Sequence, residues 1–530
     1  MPTLEWIGKD KVINHHLDVP YRVLERKYSY DENGQHDEDN GSENMIIHGD
    51  NLDALKSLLP RFEGRVKCIY IDPPYNTGNE KWVYNDNVND PRILKWLGQV
   101  VGAEGEDLSR HDKWLCMMYP RLKLLQRLLS DDGVIFISID DVENYNLRLI
   151  CNEIFGERNF VDTIIWQKIY TIKNSAQYFS GMHDYIVVYA KRKECFQRNL
   201  FPRTEELDST YTNPDNDPRG PWTTNAVQAR NFYGNGSYEI ISPTGRTFRP
   251  PTGTYWRVSE EHFKELDKDG RIWWGQERNS VPRIKKFLSE AKQGIVPTTL
   301  WSYKEAGQNA DAKQEIRRIF QNETEIFSTP KPSRLIERII QVAASHDSII
   351  LDSFAGSGTT AHAVLNMNKA DGGHRRFILV EMMDYADSIT AERVKRVIDG
   401  YGSGKQAVEG TGGNFTFYDL GQTLLLPDGN LNEEVDTAKI REYIWYMETK
   451  TPLGEAAAEN PYYLGENNNT GYYFFYEKDH ISTLGYEFLS TIKEKTESYL
   501  IYADLCTIPD EELKRYNITF KKIPRDIAKL

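Results

Sequence analysis

Cysteine is scarce in this 530-residue chain. The five present, Cys68, Cys116, Cys151, Cys195 and Cys506, lie far apart and form no Cys-x-x-Cys pair. That spacing argues against a disulfide framework or a thiolate zinc site and points to a reducing cytoplasm. Long apolar runs are missing too. No stretch approaches the ~18 consecutive apolar residues of a membrane span, and residues 1–11 lack the apolar core of a secretion signal, so no membrane is expected. Positive charge is also short: 65 Lys and Arg against 79 Asp and Glu leave a net −14. The shortage is uneven. Trp166 to Trp301 holds 20 basic residues against 15 acidic, about +5, which leaves the remainder near −19. An anionic polymer would settle on that one region.

The most telling stretch that is present runs from Val66 to Gly78, Val-Lys-Cys-Ile-Tyr-Ile-Asp-Pro-Pro-Tyr-Asn-Thr-Gly. Val66 to Ile71 is short, apolar and rich in β-branched residues, so it predicts a buried strand. Pro73 and Pro74 stop that strand, because neither can donate to a ladder and each fixes its own φ. Asp72, the proline carbonyls and the Tyr75 ring are then held at a strand's carboxyl end, where open α/β sheets keep their ligand crevice. Methylation of an exocyclic base amine suits such a set. That amine is a poor nucleophile, since its lone pair is delocalised into the ring. A carboxylate and a carbonyl can accept its two N–H bonds and localise the lone pair, while an aromatic ring stacks on the flipped-out base. The plainer reading is a strand ending in a Pro-Pro turn, with Tyr75 as rim packing.

Residues 1–44 are polar and end in an acidic stretch, Asp31 to Asn44, expected as a solvated arm. Met45 to Asp50 predicts a strand ending in an acid, followed by a helix from Asn51. Asn79 to Arg110 lacks periodicity and is expected as a mobile loop beside the site. A helix over His111 to Leu129, a strand over Val134 to Ile139 and a helix over Asp141 to Phe155 complete a catalytic half, 45–165. Segment 166–301 interleaves Arg219, Arg230, Arg246, Arg249, Arg257 and Arg278 with Trp222, Tyr233, Tyr255, Trp256, Trp273 and Trp274, as a phosphate- and base-contacting surface would. The α/β pattern resumes over 302–414. It gives a helix over Ser333 to Ala344, strands over Ile349 to Asp352 and Phe377 to Glu381, and helices from about Ala361 and over Ala386 to Ile398. Residues 415–530 read as an α+β module without a chemical motif. The whole predicts a doubly wound, mostly parallel α/β sheet carrying a β-rich insertion.

The second motif is Asp352-Ser-Phe-Ala-Gly-Ser-Gly358, a tight turn from strand into helix. Gly356 and Gly358 let the backbone pass close to a ligand where free N–H groups favour an anion. No Lys follows in a Gly-Lys-Ser/Thr pattern, which argues against a nucleoside triphosphate, and Ala361 stands where a dinucleotide site would have glycine. S-adenosylmethionine fits what remains: a carboxylate for the helix start, a ribose for Glu381 at the next strand end, an adenine for apolar walls.

Together the two motifs resemble those of the amino-methylating DNA methyltransferases, and their order, catalytic motif first, resembles the permuted β class. Gly49-Asp-Asn-Leu52, the Asp-Pro-Pro-Tyr-Asn-Thr-Gly start and Thr329-Pro-Lys-Pro332 resemble the modification subunits of type III restriction systems. The resemblance implies a seven-stranded methyltransferase sheet, a target-recognition domain at 166–301, and adenine-N6 methylation of double-stranded DNA. It implies catalysis by Asp72, Pro73, Pro74 and Tyr75, with Asp72 accepting the amine, Pro73 lending a carbonyl and Tyr75 stacking on the base. Asp352, Phe354, Gly356 and Gly358 would line the cofactor, Glu381 hold its ribose, Asp50 touch its adenine and Lys331 lie near its methionine end. In the family an aromatic from the stretch Ile164 to Tyr189 often closes the base pocket, and Tyr170, Tyr178 and Phe179 stay open alternatives. A homodimer and a helicase–nuclease restriction subunit are the implied partners, with no metal. Asp before Pro-Pro-Tyr resembles the adenine branch. N4-cytosine methylation, a solitary methyltransferase and a non-catalytic DNA-binding subunit are the alternatives. A C5-cytosine enzyme would need a cysteine nucleophile, typically after proline, and no cysteine here follows one.

Overall fold

The computed structural model describes residues 3–76, 110–292, 294–321, 326–454 and 460–523, together with Lys95. The loop expected over Asn79 to Arg110 lies outside the described residues, its last residue and Lys95 excepted. The chain forms two compact units, one made of Met1–Asn199 with Thr298–Leu530, the other of Leu200–Pro297.

The first unit is built on one eleven-stranded sheet. In chain order its strands are β1 (Arg22–Asp31), β2 (Gly34–His36), β3 (Met45–His48), β4 (Val66–Ile71), β5 (Leu129–Ile139), β6 (Phe160–Gln167), β7 (His183–Ala190), β8 (Leu300–Trp301), β9 (Ile349–Asp352), β10 (Arg376–Glu381) and β11 (Phe415–Thr423). Across the sheet they run β8-β6-β7-β5-β4-β9-β10-β3-β11-β1-β2. Seven strands, β6 to β3 in that order, match the expected number and lie in the middle, with β7 antiparallel to both neighbours and the rest parallel. β9 is buried throughout and β10 in all but its first residue, the burial that a sheet covered on both faces demands of its central strands.

Helix α2 (Arg110–Leu128) packs on both α1 (Asn51–Phe62) and α3 (Asp141–Phe155); α6 (Thr359–Asp371) packs on both α5 (Ser333–Ala343) and α7 (Glu392–Asp399), with α4 (Asn309–Ile319) against α7. From β4 the chain winds outward through α2 to β5. From β9 it winds the opposite way through α6 to β10. With right-handed crossovers the two helix groups fall on opposite faces, and the winding reverses between β4 and β9. The pairing Cys68↔Ile350 and Ile69↔Leu351 sets these two strands side by side. Asp72 and Asp352 therefore emerge at the same edge of the sheet.

Two sequence expectations change. The arm over residues 1–44 contains β1, which pairs with β11 across nearly 400 residues of chain, so its alternating Tyr28 and Tyr30 rest on Phe417 and Phe415. The boundary at Trp166 falls within β6. Trp166 is fully buried and its indole N–H donates to the Gly307 carbonyl at 2.9 Å, so the aromatic strands after Ile164 belong to the sheet. In the C-terminal module, the helix over Thr437–Thr449 packs its apolar face inward. Ile440, Tyr443 and Ile444 are buried in the chain's own core, with the Tyr443 ring 4.8 Å from that of Tyr21. Beyond that helix, strands Tyr463–Asn467, Thr470–Phe474, Ser498–Ala503 and Ile518–Lys522 form a separate four-stranded sheet.

The second unit has short strands, among them Trp222–Ala226, Ile272–Trp273 and Arg283–Phe287 in one three-stranded sheet, and a helix over Glu260–Lys268. Its aromatics divide differently from expectation. Trp222, Trp256 and Trp274 are buried, the last two in one core cluster, whereas Tyr233 is 39% exposed and its neighbour Phe232 79%. Its arginines are partly committed as well: Arg219 pairs with Asp217 and Asp269, and Arg249 with Glu239. Residues 200–297 hold 14 basic against 13 acidic residues, so the surplus read over 166–301 belongs mostly to 166–199.

Candidate active site

β4 delivers Asp72, and the two prolines turn the chain away at once. The turn is anchored from behind, since the Trp114 indole N–H on α2 donates to the Pro74 carbonyl at 2.7 Å. Among the described residues no group donates to the Pro73 carbonyl. Tyr75 is buried, and its phenol is held well above its ordinary pKa, by burial first and by the Asp72 charge next. Asn76 follows in the left-handed region at φ 59°. Its amide is clamped by buried Glu143 and by the Arg110 carbonyl at 3.1 Å, and Glu143 also accepts from His111 Nδ1 at 2.7 Å. Glu143 thus holds the exit of the tetrad, a role that nothing local in the sequence signals.

β9 delivers Asp352. Its Oδ1 accepts from the Phe354 N–H at 3.0 Å and its Oδ2 from the Thr360 hydroxyl at 2.5 Å, so the carboxyl staples the turn shut. Burial pushes its pKa up to about 7, against the pull of those two hydrogen bonds. Gly356 has φ 52° and Gly358 φ 77°, backbone that branched side chains avoid. Glu381, at the end of β10, accepts from the Gly356 N–H at 2.8 Å and from the Met383 N–H at 2.9 Å. Gly358 is the N-cap of α6 and supplies no side-chain cap, which leaves the first N–H groups of that helix for a ligand.

Behind the turn lies a buried polar knot that the sequence did not reveal. Arg393, fully buried on α7, donates to Ser357 Oγ at 3.0 Å, Thr359 Oγ1 at 2.8 Å and Glu315 Oε2 at 2.9 Å. Its neighbour His362 is driven down to about 4 by burial. A short π-helical stretch, Asp387–Ala391, precedes α7, and its Thr390 hydroxyl donates to the Gly356 carbonyl at 2.5 Å.

The two motifs meet through Lys331. Its Nζ lies 2.5 Å from Asp72 Oδ2, with both side chains about nine-tenths buried, and 5.1 Å from the centroid of the Tyr75 ring. A narrow cavity touches Tyr70, Asp72, Lys331, Asp352, Gly356 and Thr359 together. On its lining residues, Asp72 Oδ1 and Thr329 Oγ1 are buried without a hydrogen-bond partner among the described residues. Buried polar atoms are rarely left so, and a polar ligand would satisfy them. Asp50 stands differently. It caps α1, accepting from the Leu52 N–H at 2.8 Å, and Arg121 approaches its other oxygen at 3.5 Å. Tyr170, Tyr178 and Phe179, in the connection from β6 to β7, are 59%, 83% and 95% exposed, so none of them walls this cavity.

A family model described as DNA methylase matches residues 66–392. The type III restriction-modification enzyme StyLTI Mod subunit of Salmonella typhimurium is 35% identical over 388 residues, covering 68% of this chain and 58% of that protein. The EcoP15I Mod subunit of Escherichia coli is 29% identical over 444 residues, covering 75% and 66%. The type II methyltransferase M.KpnI of Klebsiella pneumoniae is 32% identical over 361 residues, covering 63% and 80%. The chain spans roughly three fifths of the length of the first curated relatives it matches. Among solved structures, the PvuII cytosine-N4-specific DNA methyltransferase is 12% identical at a TM-score of 0.33, covering 66% of this chain and 86% of that one.

Proposed function

The chain belongs to the DNA methylase family, and from that premise we propose that it transfers a methyl group from S-adenosylmethionine to the N6 amine of adenine in double-stranded DNA, as the modification component of a type III-like restriction system. The observation that carries this reading is the meeting of Asp72 and the glycine turn across the point where the sheet's winding reverses. The cofactor would supply an electrophilic methyl on a sulfonium. Gly356, Gly358 and the start of α6 would receive its carboxylate end, Phe354 would give it an apolar wall, and Asp352 keeps the turn in shape. Glu381, at the carboxyl end of β10, would accept from ribose hydroxyls. Asp50 could reach the adenine only through the oxygen that faces Arg121.

On the other side of the crevice, Asp72 and the Pro73 carbonyl would accept the two amine hydrogens and draw the lone pair out of the base. Tyr75 would stack on the extruded ring. Catalysis is then positioning in a dry site, without a covalent intermediate. Leu200–Pro297 would read the target sequence, with exposed Arg230, Phe232 and Tyr233 as its first candidates. A homodimer and a restriction subunit would complete the assembly. Incubating the purified chain and genomic DNA with methyl-labelled S-adenosylmethionine, then mapping the methylated positions, tests the reading. Label at adenine N6 within a short recurring sequence is expected; label at cytosine N4, or none, would overturn it.

A further inference from the structure

The ammonium of Lys331 covers both surfaces that the target base needs. It takes Asp72 Oδ2 at 2.5 Å and lies over the face of the Tyr75 ring at 5.1 Å. An amine that becomes cationic as it is methylated is repelled by an ammonium fixed on the same carboxylate, even with Asp72 Oδ1 left unpaired. The backbone of Lys331 is the part that cannot give way. Pro330 and Pro332 restrict it on either side, and the Lys331 carbonyl accepts from the Thr359 hydroxyl at 3.3 Å. The side chain is the part that can, since four rotatable carbons carry a point charge with three donors. That hydroxyl belongs to the first residue of α6, so the stem of Lys331 starts at the same helix end that favours an anion. A third carboxylate, Asp184 on β7, is buried close enough to feel the charges of both Lys331 and Asp72, and Lys168 already pairs with it at 2.5 Å. Asp184 is therefore spoken for. The ammonium holds Asp72, and Lys331 lines the same narrow cavity as Gly356 and Thr359 at the helix start.

We propose that Lys331 is a latch on Asp72, holding the carboxylate and the Tyr75 face closed until a ligand carboxylate at the start of α6 draws the ammonium to itself. The proposal rests on the methyltransferase reading and adds a regulation to it: the base is gripped only after the carboxylate-bearing cofactor has arrived. It distinguishes ligands that carry the amino-acid end from ligands that share only the nucleoside.

The grip of Asp72 on the amine is measured as the ratio of affinities for two duplexes of the methylated sequence, one with adenine at the target and one with purine, which lacks the amine. For the unmodified protein the ratio should rise about tenfold when S-adenosylhomocysteine is added, the scale of one charge-assisted hydrogen bond. It should not rise with saturating 5′-methylthioadenosine, which has the nucleoside and sulfur but no carboxylate. In Lys331→Met the ratio should already be high and unmoved by either compound. An equal rise with both compounds would overturn the latch, and so would a Lys331→Met protein that still needs S-adenosylhomocysteine. The two-compound comparison needs no variant, so a misfolded Lys331→Met leaves the test intact. Absence of methyl transfer by the unmodified protein would instead sink the functional reading.

Discussion

Asp352 keeps a proton that an exposed aspartate would shed well below neutral pH, because burial lifts its pKa from 3.8 to about 7. Across that interval the folded chain holds a proton that the unfolded chain has lost. The group therefore makes stability fall as pH rises to about 7, and leaves it level above. His362 works the other way. Its pKa drops from 6.5 to about 4, so the unfolded chain binds a proton there that the folded chain refuses, and stability falls as pH drops. The two slopes oppose each other between about pH 4 and 6.5. Asp352→Asn should unmask the histidine: the variant's stability relative to the unmodified chain should grow by roughly 2–3 kcal/mol between pH 5 and pH 8 in urea titrations. A constant difference would mean that Asp352 is ionised throughout. At Asp72 the expectation concerns rate. Asp72→Ala should lower kcat by at least about a hundredfold while cofactor affinity, measured by calorimetry, stays within about twofold. Near-normal turnover would remove Asp72 from the chemistry.

Elements whose burial is announced by their own residues were readable from the chain. Val66–Ile71 and Ile349–Asp352 match expectation to the residue, and Arg376–Glu381 and Ser333–Ala343 to within one. β1 was not readable, because Arg-Val-Leu-Glu-Arg-Lys-Tyr-Ser-Tyr-Asp gains its partner only from β11, far along the chain. The helix expected over Ala386 to Ile398 is interrupted by the π-helical stretch that aims Thr390 at the glycine turn, a register change that no propensity encodes. The tetrad and the glycine turn were legible as motifs. Their link through Lys331 was not, since it joins residues 259 apart in sequence. At the turn itself, Gly356→Val would force a branched side chain to φ 52°, at a cost of about 1–2 kcal/mol, and crowd the ligand's path. S-adenosylmethionine affinity by calorimetry should fall at least about tenfold. Unchanged binding would assign the glycine to packing alone.

For the whole molecule, the division at Leu200 and Pro297 tells where a recognition module can be exchanged. Replacing 200–297 with the matching unit of a related enzyme should move the methylated sequence and leave cofactor affinity unaltered. Methylation mapping that returns the original sequence would place target reading elsewhere. Light scattering with and without DNA tests the proposed dimer; one chain's mass under both conditions would exclude it. The neighbouring strands β4 and β9, finally, have a history as well as a position. About 280 residues separate them in the chain. At roughly 5–20 residues per second, a ribosome leaves one side of β4 without its neighbour for about 14–56 s. Throughout that interval an apolar strand edge is open to any passing chain, the condition under which sheets aggregate or recruit a chaperone. A nascent chain stalled before Ile349 should be readily cut by protease near β4. It should turn resistant once Asp352 has cleared the exit tunnel, the moment at which the crevice first exists.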